Sequence, residues 1–125
     1  MDDELFSVFY EWCEKRFFPI MARSLFPSRA YMAFIGEKPI VTAFIYKDET
    51  SAFTMLEWIV ANPDSTSEER EIGIADVISH VREEVKKIGG TVIFTTAQHP
   101  DLEDKLLKNG FLASDQGVNH FIGGI

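Results

Sequence analysis

The stretch FTMLEWIVANPDSTSEEREIGIADVISHVREEVKKI, residues 53–88, decides how this chain folds. It opens with eight mostly apolar residues that suit a strand and passes through the polar ANPDSTSEE. It then settles into a helical repeat: Ile74, Ile78, Val81, Val85 and Ile88 recur at alternating steps of four and three, one apolar stripe at helical period. Ser65 and Thr66 each precede a glutamate by three places (Glu68 and Glu69), so a capping box starts the helix near Ser67. Gly89-Gly90 ends it. A second strand-like run follows at residues 91–97. Strand, helix and strand in that order make a right-handed crossover with the two strands parallel. Ligands of such units sit at the carboxyl ends of the strands, facing the helix N-terminus. That end carries roughly half a positive charge and unpaired N–H groups, which suits a phosphate.

Working back from this unit, residues 51–60, 39–47 and 30–35 read as three antiparallel strands in a meander, with Gly36-Glu37-Lys38 as a hairpin loop. Residues 3–18 carry Phe6, Phe9, Cys13 and Phe17 on one helical face, and Pro19 stops that helix. A short helix over residues 21–26 is expected next. Working forward, residues 100–109 read as a helix with Leu102, Leu106 and Leu107 inward and Gly110 just past its end. Residues 111–114 and 118–122 read as two short final strands around Asp115-Gln116-Gly117. Without a linker, repeat or low-complexity segment, residues 1–125 are expected to form one domain.

The segment Arg70-Glu71-Ile72-Gly73-Ile74-Ala75 fits the Arg/Gln-x-x-Gly-x-Gly/Ala pattern with which GNAT acetyltransferases grip the pyrophosphate of acetyl-coenzyme A. Leu107-Lys108-Asn109-Gly110-Phe111 likewise resembles that family's closing Gly-Phe phrase. The order of elements resembles the family over most of the chain, less the strand that usually precedes the first helix. The resemblance implies an α/β fold in which a mixed central sheet is flanked by helices and a parallel strand pair splays at its centre. It implies an acetyl-CoA dependent N-acetyltransferase acting on an amine, with no metal. Val60 would pair its backbone with the pantetheine arm; Arg70, Ile72, Gly73, Ile74 and Ala75 would hold the pyrophosphate. His99, standing where the family often has an asparagine, would bond the arm or donate a proton.

Glu57 is the one ionisable residue inside its apolar strand, and burial there would raise its pKa toward what a general base needs. Gly73 inside a helix costs about 1 kcal/mol against alanine, so it needs a reason: close approach of a phosphate, or close packing of helix on strand. Leu106 stands where the family commonly has the tyrosine that protonates the leaving thiolate. Glu68, Glu69 and Glu71 crowd the pyrophosphate motif, and the loop from Pro63 to Arg70 is about four residues longer than usual. These departures leave a second reading open, a GNAT-like binding module without catalysis.

A formal charge of −8 without clustered Lys or Arg argues against a nucleic-acid partner. The absence of a long apolar run argues against a membrane span, the acidic start against a signal peptide, and the single cysteine against an internal disulfide. A cytoplasmic enzyme is the expectation. Neither acceptor nor oligomeric state is legible. His80, His120 and Cys13 carry no pattern of metal ligation or nucleophilic catalysis.

Overall fold

The computed structural model describes residues 1–125. Helix α1 (Asp3–Lys15) leads through a single 3-10 turn (Arg23–Leu25) to strands β1 (Ala30–Ile35), β2 (Lys38–Lys47) and β3 (Phe53–Ala61). Helix α2 (Ser67–Lys87), strand β4 (Val92–Thr95) and helix α3 (Pro100–Lys108) follow. The sheet runs β1-β2-β3-β4, antiparallel except for the final, parallel pair. This is the mixed sheet with a parallel pair that the sequence predicts. No helix is long and apolar enough to cross a membrane.

Each face of the sheet carries its own core. Helix α2 lays Ile74, Val77, Ile78, Val81 and Val85 on one face, against Ile40, Val41, Ala43, Ile45 and Leu56. Helix α1 lays Phe6, Phe9, Trp12 and Cys13 on the other, against Met32, Phe44 and Val60. Burying a side chain of this size contributes roughly 1.5–3 kcal/mol, so these two sandwiches hold the domain together. The start of α2 is fixed locally: Thr66 accepts from the Glu69 N–H while Glu69 reaches back to the Thr66 N–H, the second of the two possible capping boxes.

Five expectations need correction. Helix α1 ends at Lys15 rather than near Pro19: Phe17 turns left-handed (φ 58°), and the Phe18 N–H reaches back to the Cys13 carbonyl. Proline disfavours helical backbone in the residue before it, so the helix closes early and Phe17 leaves the apolar stripe for solvent, with Trp12 buried instead. The helix expected over 21–26 shrinks to one 3-10 turn, and the hairpin loop to Gly36-Glu37, since Lys38 already pairs with Ile35. In α3, Leu106 is buried but Leu107 is exposed, and Lys105 points inward to bond Asp101. Residues 111–114 and 118–122 form no strands. A strand exists only through its ladder, and these segments pair with neither edge of the sheet; the turn after α3 instead draws Phe111 against the α2 core.

Candidate active site

The parallel ladder between β3 and β4 is short, running from Phe53 opposite Val92 to Leu56 opposite Thr95. Strand β3 continues to Ala61, still paired with β2 through Val60–Thr42 and Ala61–Val41, but β4 has ended. From Glu57 onward the two strands part. A bulge helps them do so: Glu57 sits opposite Phe44 and Val60 opposite Thr42, leaving Trp58 and Ile59 to face Ala43 alone. Trp58 takes φ 56°, a left-handed conformation that costs a bulky residue about 1 kcal/mol or more. Its ring is held among aromatic neighbours, 5.2 Å from Phe26 and 6.2 Å from Phe9 between centroids.

Glu57 stands at the apex of the split, half-buried, and accepts a 3.3 Å hydrogen bond from the Thr96 hydroxyl. Burial raises its pKa; the Thr96 bond and the nearby charge of His120 oppose that rise without cancelling it. The negative charge of Glu57 adds to burial in raising the Tyr46 phenol, whose hydroxyl donates to the Leu25 carbonyl at 3.1 Å. The sequence singled out Glu57 but not its neighbours. Thr96 and Tyr46 are remote from it along the chain and come into range only through strand pairing and the chain's return. His120 reaches Glu57's surroundings from the tail, outside any strand.

The end of the split lies where β3 finishes, α2 begins and α3 begins. Asn62 ties the β3–α2 connection to β2: its side-chain amide donates to the Pro39 carbonyl at 2.9 Å, and its N–H donates to the Ile40 carbonyl at 2.7 Å. Because α2 starts at Ser67, the Arg70–Ala75 motif lies inside the helix rather than ahead of it. The capping box occupies the Glu69 N–H, and the Arg70 N–H donates to the Thr66 carbonyl. The first-turn amides without a cap are therefore those of Ser67 and Glu68, one turn ahead of the motif.

The motif side chains also part company. Arg70 donates to the Ser65 carbonyl at 2.6 Å and places Nε 3.7 Å from an Asp101 carboxylate oxygen. Ile72 and Ala75 face solvent, whereas Gly73 and Ile74 are buried. A Cβ on Gly73 would stand 2.8 Å from Ile40 Cγ2 and 3.3 Å from Ile40 Cβ. Close packing of helix on strand is therefore the reason for this glycine; it does not face a ligand. Val60 presents its backbone at the open part of β3 while its side chain is buried under α1. His99 caps α3, its Nδ1 accepting from the Asp101 N–H at 3.2 Å.

Basic side chains gather at this end of a strongly acidic chain. Arg16, from the close of α1, donates through Nε to the Ala61 carbonyl at 2.8 Å, and its pKa is lowered first by burial and then by the charge of Arg70. Lys105, whose side chain is 4% exposed, bonds Asp101 at 2.5 Å. That bond, with the charges of Arg70 and His99, holds Asp101 below the usual carboxylate range. Arg70 and Lys105 thus share the Asp101 carboxylate, while Arg16 bonds the Ala61 carbonyl. No group of three His, Cys, Asp or Glu residues could hold a metal ion. Hollows of about 350 Å³ (beside Tyr46, Phe53 and Met55) and about 430 Å³ (beside Gly90, Ile93 and Phe111) lie away from the basic end.

A mixed sheet whose parallel strands β3 and β4 part beyond a bulge, with a half-buried carboxylate at the fork and basic residues at the open end, defines a GNAT-like fold. Solved structures bear this out across the whole chain. Wild-type TTHA1254 from Thermus thermophilus superposes with a TM-score of 0.70 at 16% identity, over 100% of this chain and 95% of its own. An aminoglycoside acetyltransferase from an uncultured soil metagenomic sample gives 0.66 at 16% identity, over 98% and 89%. An aminoglycoside antibiotic 6'-N-acetyltransferase from Acinetobacter haemolyticus gives 0.62 at 17%, over 100% and 96%. At these identities the likeness is one of fold. No family model matches the chain, and no curated protein matches it in sequence.

Proposed function

We propose that this protein is a cytoplasmic acyltransferase that moves an acetyl group from acetyl-coenzyme A to an amine, with the cleft between β3 and β4 as its active site. The observation that carries the reading is the split itself. Strand β3 continues past the end of β4 and offers the backbone around Val60 as an unpaired edge for an extended, amide-bearing arm. The acetyltransferase folds of the structural neighbours support the same reaction class. Arg70 and the free amides of Ser67 and Glu68 would hold the pyrophosphate, aided by Arg16 and Lys105. Within the motif, Gly73 and Ile74 serve by seating the helix on the sheet while Ile72 and Ala75 face solvent, and His99 serves by ordering the start of α3 beside the arm.

In this reading Glu57 takes the proton from the acceptor's ammonium or from a water bridging to it. Its raised pKa keeps it a stronger base than a surface glutamate, while Thr96 fixes its carboxylate. The amine, once neutral, attacks the thioester carbonyl; its carbon–nitrogen bond forms as the carbon–sulfur bond breaks, and the extra proton of the new amide nitrogen is relayed to the leaving thiolate. No phenol stands at Leu106 to supply that proton. Tyr46, which lies toward Glu57, is the phenol proposed for that role, although burial and the charge of Glu57 make it a weaker acid than a free phenol.

A second reading, a GNAT-like binding module without catalysis, is favoured by one specific observation. Arg70 is already engaged by the Ser65 carbonyl and Asp101, as a structural clamp would be. Thermal unfolding with and without about 1 mM acetyl-coenzyme A separates the two. A ligand binding the native state at ~0.1 mM adds about 1.4 kcal/mol, which for a chain of this length raises Tm by roughly 4–6 °C. An unchanged Tm, with no heat of binding in calorimetry, would leave the binding module.

A further inference from the structure

The face of the sheet away from α2 is only partly covered. Side chains alternate between faces along a strand, so the register sets Tyr46, Met55 and Phe94 in one row on this face and Glu57 with Thr96 in the next. Helix α1 packs over Phe44 and Val60 and stops there, which leaves Phe53, Met55 and Phe94 between 37% and 47% exposed. Two residues of extended chain cover about 7 Å, so this apolar floor ends one step short of the Glu57 carboxylate.

Charge restricts what can lie on the floor. Glu57 is the only carboxylate in any of the four strands. A hollow of about 350 Å³ shares Tyr46, Met55 and Phe53 with the floor, and its charged lining is Arg29 and Lys47 against Asp48 alone. That volume suits a small ligand. One ammonium finds a partner at Glu57; a second, at the far end, would meet more cations than carboxylates.

We propose, building on the acyltransferase reading of the cleft, that the acceptor is a monoamine on an apolar body, its ammonium at Glu57 and its body over Met55, Phe94 and Phe53. An aromatic body suits the floor best. Met55 offers its thioether to a ring edge, and the Phe53 and Phe94 rings, 5.8 Å apart and tilted by 35°, offer faces and edges for stacking. Polyhydroxylated amines and polyamines fit poorly, because their polar groups would lose water against side chains that form no hydrogen bonds.

Acetylation of phenethylamine, ethanolamine and 1,4-diaminobutane by the full chain tests this, with amine binding followed separately by saturation-transfer NMR. Phenethylamine should exceed the other two in kcat/KM by about 30-fold or more. Met55→Thr, which trims the floor yet suits a strand, should cut that ratio about tenfold, and Met55→Leu should keep it. Phe94→Thr serves as a second variant, and circular dichroism checks that all are folded. Phe34→Ser, an exposed aromatic on the far edge strand, should leave the ratio unchanged. Equal turnover of the three amines overturns the proposal while sustaining the acyltransferase reading; so does a ratio that Met55→Thr and Phe94→Thr both leave intact. Phenethylamine that binds the parent, fails to bind Met55→Thr and is never acetylated sustains the apolar amine site and overturns the acyltransferase reading. Phenethylamine that is neither bound nor acetylated overturns the proposal.

Discussion

The two halves of β3 differ more from each other than most strands differ from their neighbours. From Thr54 to Leu56 the strand is paired on both sides, and Thr54 and Leu56 are fully buried beneath α2. From Glu57 to Ala61 it is paired on one side, carries a bulge, holds a tryptophan in a left-handed conformation and keeps a half-buried carboxylate. The first half commits its backbone to the sheet and Thr54 and Leu56 to the core. The second leaves backbone and side chain uncommitted, which is what a ligand site requires, and it persists because α1 and the aromatic cluster around Trp58 brace it from one face. One strand thus serves as pillar and, in the proposed function, as active-site wall, and the end of β4 sets the boundary.

The strongest way to break this arrangement is at the seat of α2. Gly73→Leu forces a branched side chain where even a Cβ would stand 2.8 Å from Ile40, a residue with no room to move. Overpacking of this kind should cost about 3 kcal/mol, lowering Tm by roughly 10 °C or more in thermal denaturation. A rise in Tm toward the helix-propensity gain would mean that α2 stands off the sheet and that the pillar half is looser than described.

Next in size is the effect on the wall. If Glu57 is the base, Glu57→Gln preserves shape and the Thr96 contact but loses proton acceptance, so turnover should fall about 10²-fold with coenzyme affinity unchanged. Full turnover in that variant would remove Glu57 from the mechanism. The same substitution has a pH signature. Because burial raises the folded-state pKa above the unfolded value of about 4.3, the native state holds its proton longer and stability declines as pH rises through that window. Glu57→Gln removes the decline, so the variant should gain on the parent from about pH 4 upward to the raised pKa and run parallel beyond it. Urea titrations at several pH values would show it.

The smallest effect tests the pillar from inside. The Thr54 hydroxyl is buried with no hydrogen-bond partner. Thr54→Val keeps the branched shape and removes an orphaned polar group, so stability should rise by up to about 1 kcal/mol. A loss instead would show that the hydroxyl has a partner, such as an internal water between β3 and Gly90.

Much of this was legible in the residues alone. Period and caps fix α2, because a helix is written in its own local contacts, and the apolar runs of the meander give β1 to β3 almost to the residue. Glu57 could be found because a lone carboxylate in an apolar strand is anomalous wherever the strand sits. Tertiary structure alone decided the rest. Whether residues 111–114 and 118–122 are strands depends on an edge to pair with, and whether Gly73 answers to phosphate or to packing depends on how near β2 comes. The motif residues were adjacent in sequence yet went to separate environments: a helix turns about 100° per residue, so consecutive side chains cannot share one face. Thr96, Tyr46, Arg16 and Lys105 carried no local signal, since their neighbours at the cleft come from other elements and meet only once the sheet has formed.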